Sequence, residues 1–210
     1  MTEEFSKTQA ETYMQQWYNA DDPVRHEMEA LADGLGFPII GPLAGRHLYQ
    51  LALTINARRV FELGSGFGYS ALWFARAVGA TGQVHCTELS AANIRRAKDF
   101  LSRAGLWERI TYHQAEATAA LQRIGGQWDI LYNDIDKDGY PATIELAEKY
   151  LRPGGLFITD NIFWHGRPFT GDTSPATQGV VEFTRRLFDH PGFVTTILPV
   201  RDGLTVALKK

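Results

Sequence analysis

Strand-like and helix-like segments alternate along the chain from residue 59 to residue 160. The strand-like segments are short runs rich in β-branched and aromatic residues, and the helix-like ones repeat apolar residues every three or four positions. Such alternation favours parallel strands joined by right-handed crossover helices, which lie on both faces of the sheet. The pattern therefore predicts a doubly wound α/β core. Its predicted strands are 59–63, 83–87, 110–113, 128–132 and 155–160, and its predicted helices are 70–78, 91–104, 115–124 and 140–150.

Helical periodicity also marks the start of the chain. It predicts a helical segment over residues 1–57 that precedes an α/β core over residues 58–210. With 210 residues, of which 44% are hydrophobic, the chain is long enough for one well-buried domain and short for two. The predicted N-terminal helices are 8–18, 23–32 and 43–55.

The end of the chain breaks the alternation. After a predicted helix at 176–190, two strand-like runs at 193–199 and 204–208 flank the short turn at residues 201–203. This spacing is typical of a hairpin, so the last strand is expected to be antiparallel. Residues 163–179 are rich in Gly, Pro, Thr and aromatic residues and predict a long functional loop.

Charge and cysteine content exclude several classes of protein. A net charge of -3 gives no general attraction to nucleic acid or to an anionic membrane. The N-terminus, residues 1–7, is polar and acidic, and no apolar run has the length of a membrane span, so a cytoplasmic location is expected. Cys86 is the only cysteine, which excludes an intramolecular disulfide and a thiolate metal cluster.

The first predicted core strand runs into a glycine-rich turn at residues 64–68 (GSGFG), which opens the next helix. Glycines there permit positive φ and let backbone N–H groups approach a ligand. Because a dinucleotide fingerprint requires a glycine where Tyr69 stands, the spacing argues against NAD. The carboxylate of Glu62, just before the turn, would repel a pyrophosphate, which favours a cofactor without phosphates. Glu62 could hold an ammonium group, and Glu88 follows the next strand, where an acidic side chain commonly accepts ribose hydroxyls.

Two other strand-like runs end in oxygen-bearing side chains. Asp134 closes one run, and Asp160 with Asn161 closes the next. Because the carboxyl ends of parallel strands lie at one edge of a sheet, we expect these three side chains to meet. Two carboxylates and an amide oxygen suit Mg²⁺ and suit zinc poorly. Three protein ligands leave about half of an octahedral shell for water or for the two oxygens of a bidentate diol.

Three motifs occupy these strand ends: residues 62–70 (ELGSGFGYS) with Glu88, residues 134–140 (DIDKDGY), and residues 160–166 (DNIFWHG). Together they resemble the cation-dependent small-molecule O-methyltransferases, the caffeoyl-CoA and catechol O-methyltransferase group. The resemblance extends over nearly all of the chain from residue 42 to residue 203. It implies S-adenosylmethionine as methyl donor and a Rossmann-like, seven-stranded, mostly parallel sheet with the last strand antiparallel. It also implies a homodimer, and N-terminal helices that help to enclose the substrate or form the interface.

The resemblance also implies roles for individual residues. The metal ligands would be Asp134, Asp160 and Asn161, which would hold Mg²⁺ or, in its place, Mn²⁺ or Ca²⁺. Lys137 would be the general base and act with Asp134, since a nearby cation and sulfonium disfavour a further positive charge there. Cofactor contacts would come from Glu62, Gly64, Ser65, Gly66, Gly68, Tyr69, Ser70, Glu88, Glu116 and Asp134. The walls of the acceptor pocket would be Tyr140, Phe163 and Trp164.

Structural interpretations of some residues stay open beside these roles. Glu116 could cap a helix through the helix dipole, the three aromatic residues could be ordinary packing, and Lys137 could be a solvated turn lysine. Arg201 stands where the family commonly has a glycine, and it could pair with a substrate carboxylate or phosphate or lie on the surface.

The predicted reaction is the methylation of one hydroxyl of a catechol-like or phenolic vicinal diol. One alternative keeps the chemistry but acts on a hydroxylated base in tRNA, which would require a basic surface. Another is a non-catalytic S-adenosylmethionine-binding protein, against which the intact set of Lys137 and the three metal ligands argues. A nicotinamide-dependent oxidoreductase is opposed by the spacing of the glycine turn.

Overall fold

Seven strands form one sheet in the computed structural model, which describes residues 6–18 and 22–210. They are β1 (Arg59–Leu63), β2 (Gln83–Thr87), β3 (Ile110–His113), β4 (Trp128–Asn133), β5 (Leu151–Thr159), β6 (Phe193–Leu198) and β7 (Leu204–Lys209). The order across the sheet is β3-β2-β1-β4-β5-β7-β6. Strands β1 to β5 pair in parallel, and β7 runs antiparallel to both of its neighbours. The predicted α/β fold with an antiparallel last strand is confirmed.

Helices cover both faces of this sheet. Within the described residues they are α1 (Lys7–Trp17), α2 (Pro23–Leu35), α3 (Gly41–Thr54), α4 (Tyr69–Ala77), α5 (Ala91–Arg103), α6 (Ala117–Ile124), α7 (Thr143–Tyr150) and α8 (Pro175–Asp189). One apolar core packs α2 to α5 against one face, and a second packs α6 to α8 against the other. The central strands are therefore buried on both sides, which is why they consist of continuous apolar runs.

Several boundaries differ from the prediction, three of them in the part of the chain that follows β4. The predicted helix at 140–150 is divided into a 3₁₀ turn, Lys137–Ala142, and helix α7. Strand β5 starts at Leu151 rather than at residue 155, because an irregularity in its pairing with β4 accommodates Pro153 and the following glycines. The predicted loop at 163–179 ends earlier, since Pro175 occupies the first turn of α8 and favours a helix start there.

The N-terminal helix is the least buried of the described helices. Ser6 and Gln9 form a reciprocal capping box at its start, and none of its residues is buried. The acidic N-terminus, residues 1–7, contributes to the expected cytoplasmic location, and its first five residues lie outside the described residues. Across residues 6–18 and 22–210, none of the helices combines the length and apolar character required to span a bilayer.

Candidate active site

The glycine turn (residues 64–68) joins β1 to α4 and lies against the end of β4. Gly64, Gly66 and Gly68 have φ of +81°, +49° and +90°, where side-chain-bearing residues are strained. A Cβ added to Gly64 would lie 2.6 Å from the backbone oxygen of Asp134. Glycine at this position therefore allows the turn and the acidic end of β4 to be in backbone contact.

Thr87, at the end of β2, holds this turn in place. Its hydroxyl accepts a hydrogen bond from the Gly64 N–H at 3.0 Å and donates to the Glu62 carbonyl at 3.0 Å. Its carbonyl accepts from the Ser65 N–H at 2.9 Å. Thr87 was not among the predicted site residues, since a threonine within a strand looks like any other β-forming residue.

Glu62 lies behind the turn, where it is fully buried. The Ser70 hydroxyl donates to one of its carboxylate oxygens, and the Cys86 thiol lies 3.4 Å from the other. Burial raises the pKa of Glu62 to about 7, against the opposing effect of hydrogen bonds from Ser70 and Cys86. The Glu62 carboxyl thus joins β1 to the first turn of α4, and its predicted contact with a cofactor stays a prediction.

The other predicted cofactor residues have partners within the protein. Glu88 is half-buried and accepts the Ser90 N–H at 2.7 Å. The Tyr69 hydroxyl donates to Glu29 of α2 at 2.6 Å. Glu116 caps α6, since its carboxylate accepts the N–H groups of residues 118 and 119 at 2.9 and 2.7 Å. These contacts match the structural interpretation of Glu116, and a cofactor role for the three side chains stays a prediction.

Asp134 and Asp160 follow β4 and β5 directly. The Asp134 N–H donates to the Leu63 carbonyl at 2.9 Å, and the Asp160 N–H donates to the Asn133 carbonyl at 3.2 Å. These bonds extend the sheet by one residue on each strand, so both acids lie at the same edge. Asn161 then turns the chain away with a φ of 56°.

The two carboxyl groups are close enough to affect each other. Burial, followed by the negative charge of Asp134, raises the pKa of Asp160 to about 7. Burial also raises the pKa of Asp134, against the opposing positive charge of Lys137. Asp160 is 4% exposed, so its negative charge is poorly solvated. Burial and mutual repulsion therefore disfavour the ionised forms of the two carboxyl groups, and Lys137 offsets this only in part.

This donor set fits a hard divalent cation. Its oxygens come from two carboxylates and one amide, the chemistry preferred by Mg²⁺ and Ca²⁺. Within the described residues, no group of three His, Cys, Asp or Glu side chains could hold a metal. The Asn161 amide as third protein ligand stays a prediction. The raised pKa of Asp160 is compatible with this interpretation, because a cation bound there would favour the ionised form.

Lys137 lies over this acidic edge from the 3₁₀ turn that follows β4. Its Nζ donates to Asp134 Oδ1 at 2.9 Å and to the Ile135 carbonyl at 3.3 Å. The side chain is 9% exposed, and Nζ lies 5.0 and 5.5 Å from the ring centres of Tyr140 and Trp164. The ammonium group is thus held at the site, unlike that of a solvated turn lysine.

The predicted aromatic wall is only partly open. Tyr140 is fully buried, and its hydroxyl donates to the Asp160 carbonyl at 3.0 Å. It lies beneath the acidic edge, and its role as a pocket wall stays a prediction. Phe163 and Trp164 are half-buried in a loop beyond Asn161. We call residues 161–169 the acceptor loop.

The turn at residues 201–203 holds the acceptor loop, which the sequence did not indicate. The Asp202 carbonyl accepts the Phe163 N–H at 2.7 Å, and the Asp202 carboxylate accepts the His165 N–H at 2.9 Å. The Gly203 carbonyl accepts the Ile162 N–H at 3.1 Å. Hairpin turns commonly contain an Asp-Gly pair, so this pair by itself predicts only a turn.

Comparison with known proteins agrees with this geometry. A family model described as O-methyltransferase matches residues 9–210. The chain is 30% identical to a catechol O-methyltransferase of Niastella koreensis over 202 residues, which are 90% of this chain and 91% of that protein. It also resembles an O-methyltransferase from Bacillus cereus in complex with SAH (TM-score 0.86, 27% identity, 95% of this chain and 96% of that chain). A further similar structure is TomG from Streptomyces achromogenes in complex with SAM (TM-score 0.86, 25% identity, 95% of each chain). The chain belongs to the O-methyltransferase family.

Proposed function

We propose that this protein transfers the methyl group of S-adenosylmethionine to one hydroxyl of a small catechol-like or phenolic vicinal diol. The observation that carries the proposal is the backbone contact between the glycine turn and Asp134, where Gly64 leaves no room for a Cβ. The glycine turn, which we propose to bind the cofactor, thus lies beside the half-buried Asp134, the buried Asp160 and Lys137. Family membership and the SAH and SAM complexes of similar structures support the choice of methyl donor.

The acceptor is proposed from the oxygen ligands and from the relatives. Asp134, Asp160 and Asn161 would hold a divalent cation, with Mg²⁺ as the first choice. When bound there, the cation supplies Lewis acidity, which favours ionisation of a hydroxyl. A vicinal diol offers two adjacent oxygens for such a site, and a similar protein from Niastella koreensis is named a catechol O-methyltransferase.

Lys137 is the proposed general base. In its neutral form, Nζ would accept the proton of the acceptor hydroxyl, and the ammonium produced would donate to Asp134 Oδ1 and to the Ile135 carbonyl as observed. The rings of Tyr140 and Trp164 restrict the side chain and exclude water from it. Because the protein forms no covalent intermediate in this reaction, its remaining contribution is to align the acceptor oxygen with the methyl carbon.

The experiment that tests the proposal measures transfer of a labelled methyl group to catechol, with Mg²⁺ and after treatment with EDTA. We expect transfer with Mg²⁺, loss of transfer in EDTA, and restoration by added Mg²⁺. Binding of S-adenosylhomocysteine, followed by calorimetry, should persist in EDTA. Unchanged transfer in EDTA would contradict the metal role. Labelling of bulk tRNA but not of any diol would favour the tRNA alternative, and binding without transfer would favour a non-catalytic binding protein.

We also propose that the protein is a homodimer and that it is located in the cytoplasm. The homodimer is testable by sedimentation, and its interface is expected to include α1, where Tyr13 and Trp17 are 61% and 70% exposed. The cytoplasmic location is testable by fractionation of cells that express the full chain.

A further inference from the structure

We propose that the turn at residues 201–203 is a positioning joint for the acceptor side of the site. In this proposal Asp202 positions the acceptor loop, Arg201 positions helix α1 beside that loop, and both residues thereby determine which diols are accepted. The inference rests on the proposed function for its substrate class. Neither residue is proposed to contact the acceptor or the reacting atoms.

Asp202 supports the acceptor loop, whose backbone is strained. Three residues of the acceptor loop other than glycine have positive φ: Asn161 at 56°, Trp164 at 41° and His165 at 56°. Such conformations persist only where the surroundings hold them. The Asp202 carboxylate accepts the His165 N–H at 2.9 Å, and its other oxygen lies 3.8 Å from His165 Nδ1. Asp202 therefore maintains the loop conformation that begins at the proposed metal ligand Asn161.

Arg201 connects the turn at residues 201–203 to the N-terminal helices. The backbone N–H of Arg201 donates to Glu11 of α1 at 3.0 Å, and its guanidinium donates to the Ile39 carbonyl before α3 at 2.9 Å. A Cβ added to Gly41 would lie 3.0 Å from the Arg201 guanidinium, so the small residue leaves space for this side chain. Because its guanidinium binds a backbone carbonyl, Arg201 is placed as a structural connection rather than as an anion ligand.

Helix α1 also contacts the acceptor loop directly. Lys7 lies 3.8 Å from Glu11 and 5.6 Å from the centre of the Phe163 ring. The same ring packs over Gly203, where an added Cβ would lie 2.9 Å from a ring carbon. Helix α1 has no fully buried residue, and it packs against the core through the half-buried Met14, so these contacts are the ones that join it to the loop. A change at the turn should therefore move the helix and the loop without disturbing the glycine turn.

The test uses four variants of the full chain. Asp202→Ala removes the acceptor for the His165 N–H, whereas Asp202→Asn retains an oxygen that can accept it. Glu11→Ala removes the carboxylate that accepts the Arg201 N–H, a bond that no change of the Arg201 side chain removes. Arg185→Ala on α8 is the matched control, because it removes an exposed arginine that pairs with Glu182 and Asp189 instead.

For Asp202→Ala we expect the KM for catechol to rise about tenfold, with the Kd for S-adenosylhomocysteine within about twofold of wild type. Asp202→Asn should recover most of the loss. Glu11→Ala should change the ratio of kcat/KM between catechol and the larger caffeic acid by about fivefold. Equal losses of acceptor and cofactor affinity in both variants, or no change in either acceptor parameter, would overturn the joint.

Hydrogen exchange tests the joint without reference to activity. Asp202→Ala should increase exchange in residues 161–169, and Glu11→Ala should increase it in residues 6–18, while residues 60–70 and the Arg185→Ala control remain as in wild type. If the wild-type protein methylates no diol, the proposed function fails, and the exchange pattern alone decides the joint. Unchanged exchange in both segments would refute it.

Discussion

The glycine turn and the acceptor loop meet at one edge of the sheet but are held in different ways. Backbone and hydroxyl groups of the adjacent strand β2 fix the turn, through Thr87. The loop contains strained residues and depends on Asp202, which lies about forty positions later in the chain. The proposed cofactor side is thus built into the sheet, whereas the proposed acceptor side is assembled from distant segments. Selectivity for the acceptor can therefore change while the cofactor side stays the same.

The largest expected effect comes from Lys137, where the two sides meet. Lys137→Ala removes the proposed base and should lower kcat for catechol methylation by roughly 10²–10⁴-fold, with little change in acceptor KM. Stopped assays with labelled methyl donor measure both constants. Lys149→Ala is the matched control, since Lys149 is exposed on α7. A loss confined to KM would show that Lys137 binds the acceptor and is not the general base.

The next prediction tests the rigidity of the turn. Gly64→Ala combines a φ of +81° with a Cβ 2.6 Å from the Asp134 carbonyl oxygen, and should lower the free energy of unfolding by about 3 kcal/mol or more. Gly105→Ala has a similar φ of +68° but no atom within 4 Å of the added Cβ, so it should cost only about 1–2 kcal/mol. Denaturant unfolding of both variants compares strain with and without a steric clash. Equal losses would mean that Gly64 is needed for its φ alone.

The same contrast explains what could be predicted from the sequence. Strand ends, the glycine turn and the acidic residues follow from local spacing, and the structure places Asp134 and Asp160 together at one edge. The bond between Arg201 and Glu11 joins residues 190 positions apart, and no local pattern indicates such a pair. The buried partners of Glu62 were also missed, because a carboxylate before a glycine turn suggests a ligand rather than Ser70 and Cys86.

A pH-dependence prediction concerns Glu62 on the cofactor side. Its pKa is raised from 4.5 to about 7 in the folded protein, chiefly by burial. Between these values the folded state keeps a proton that the unfolded state releases, so the free energy of unfolding falls as pH rises. Wild type should lose on the order of 3 kcal/mol more than Glu62→Gln across this range. Urea unfolding at several pH values, with the exposed Glu108→Gln as control, provides the measurement. Parallel curves for wild type and Glu62→Gln would place the titration elsewhere.

The smallest expected effect separates two roles of Glu116. Both of its carboxylate oxygens accept hydrogen bonds at the start of α6, from the Thr118 and Ala119 N–H groups and the Thr118 hydroxyl. Glu116→Ala should therefore lower the free energy of unfolding by about 1 kcal/mol. Glu116→Asp should restore most of this stability, since aspartate is a favoured N-cap residue.

Calorimetry with S-adenosylhomocysteine then assigns the second role. If Glu116 only caps the helix, Glu116→Asp should recover cofactor affinity together with stability. A shorter side chain that restores stability but not affinity would show that the carboxylate also reaches the cofactor, as the family resemblance implies. In that case the same carboxylate would cap the helix and contact the adenine. Cofactor affinity would then depend on the length of this side chain as well as on the sheet.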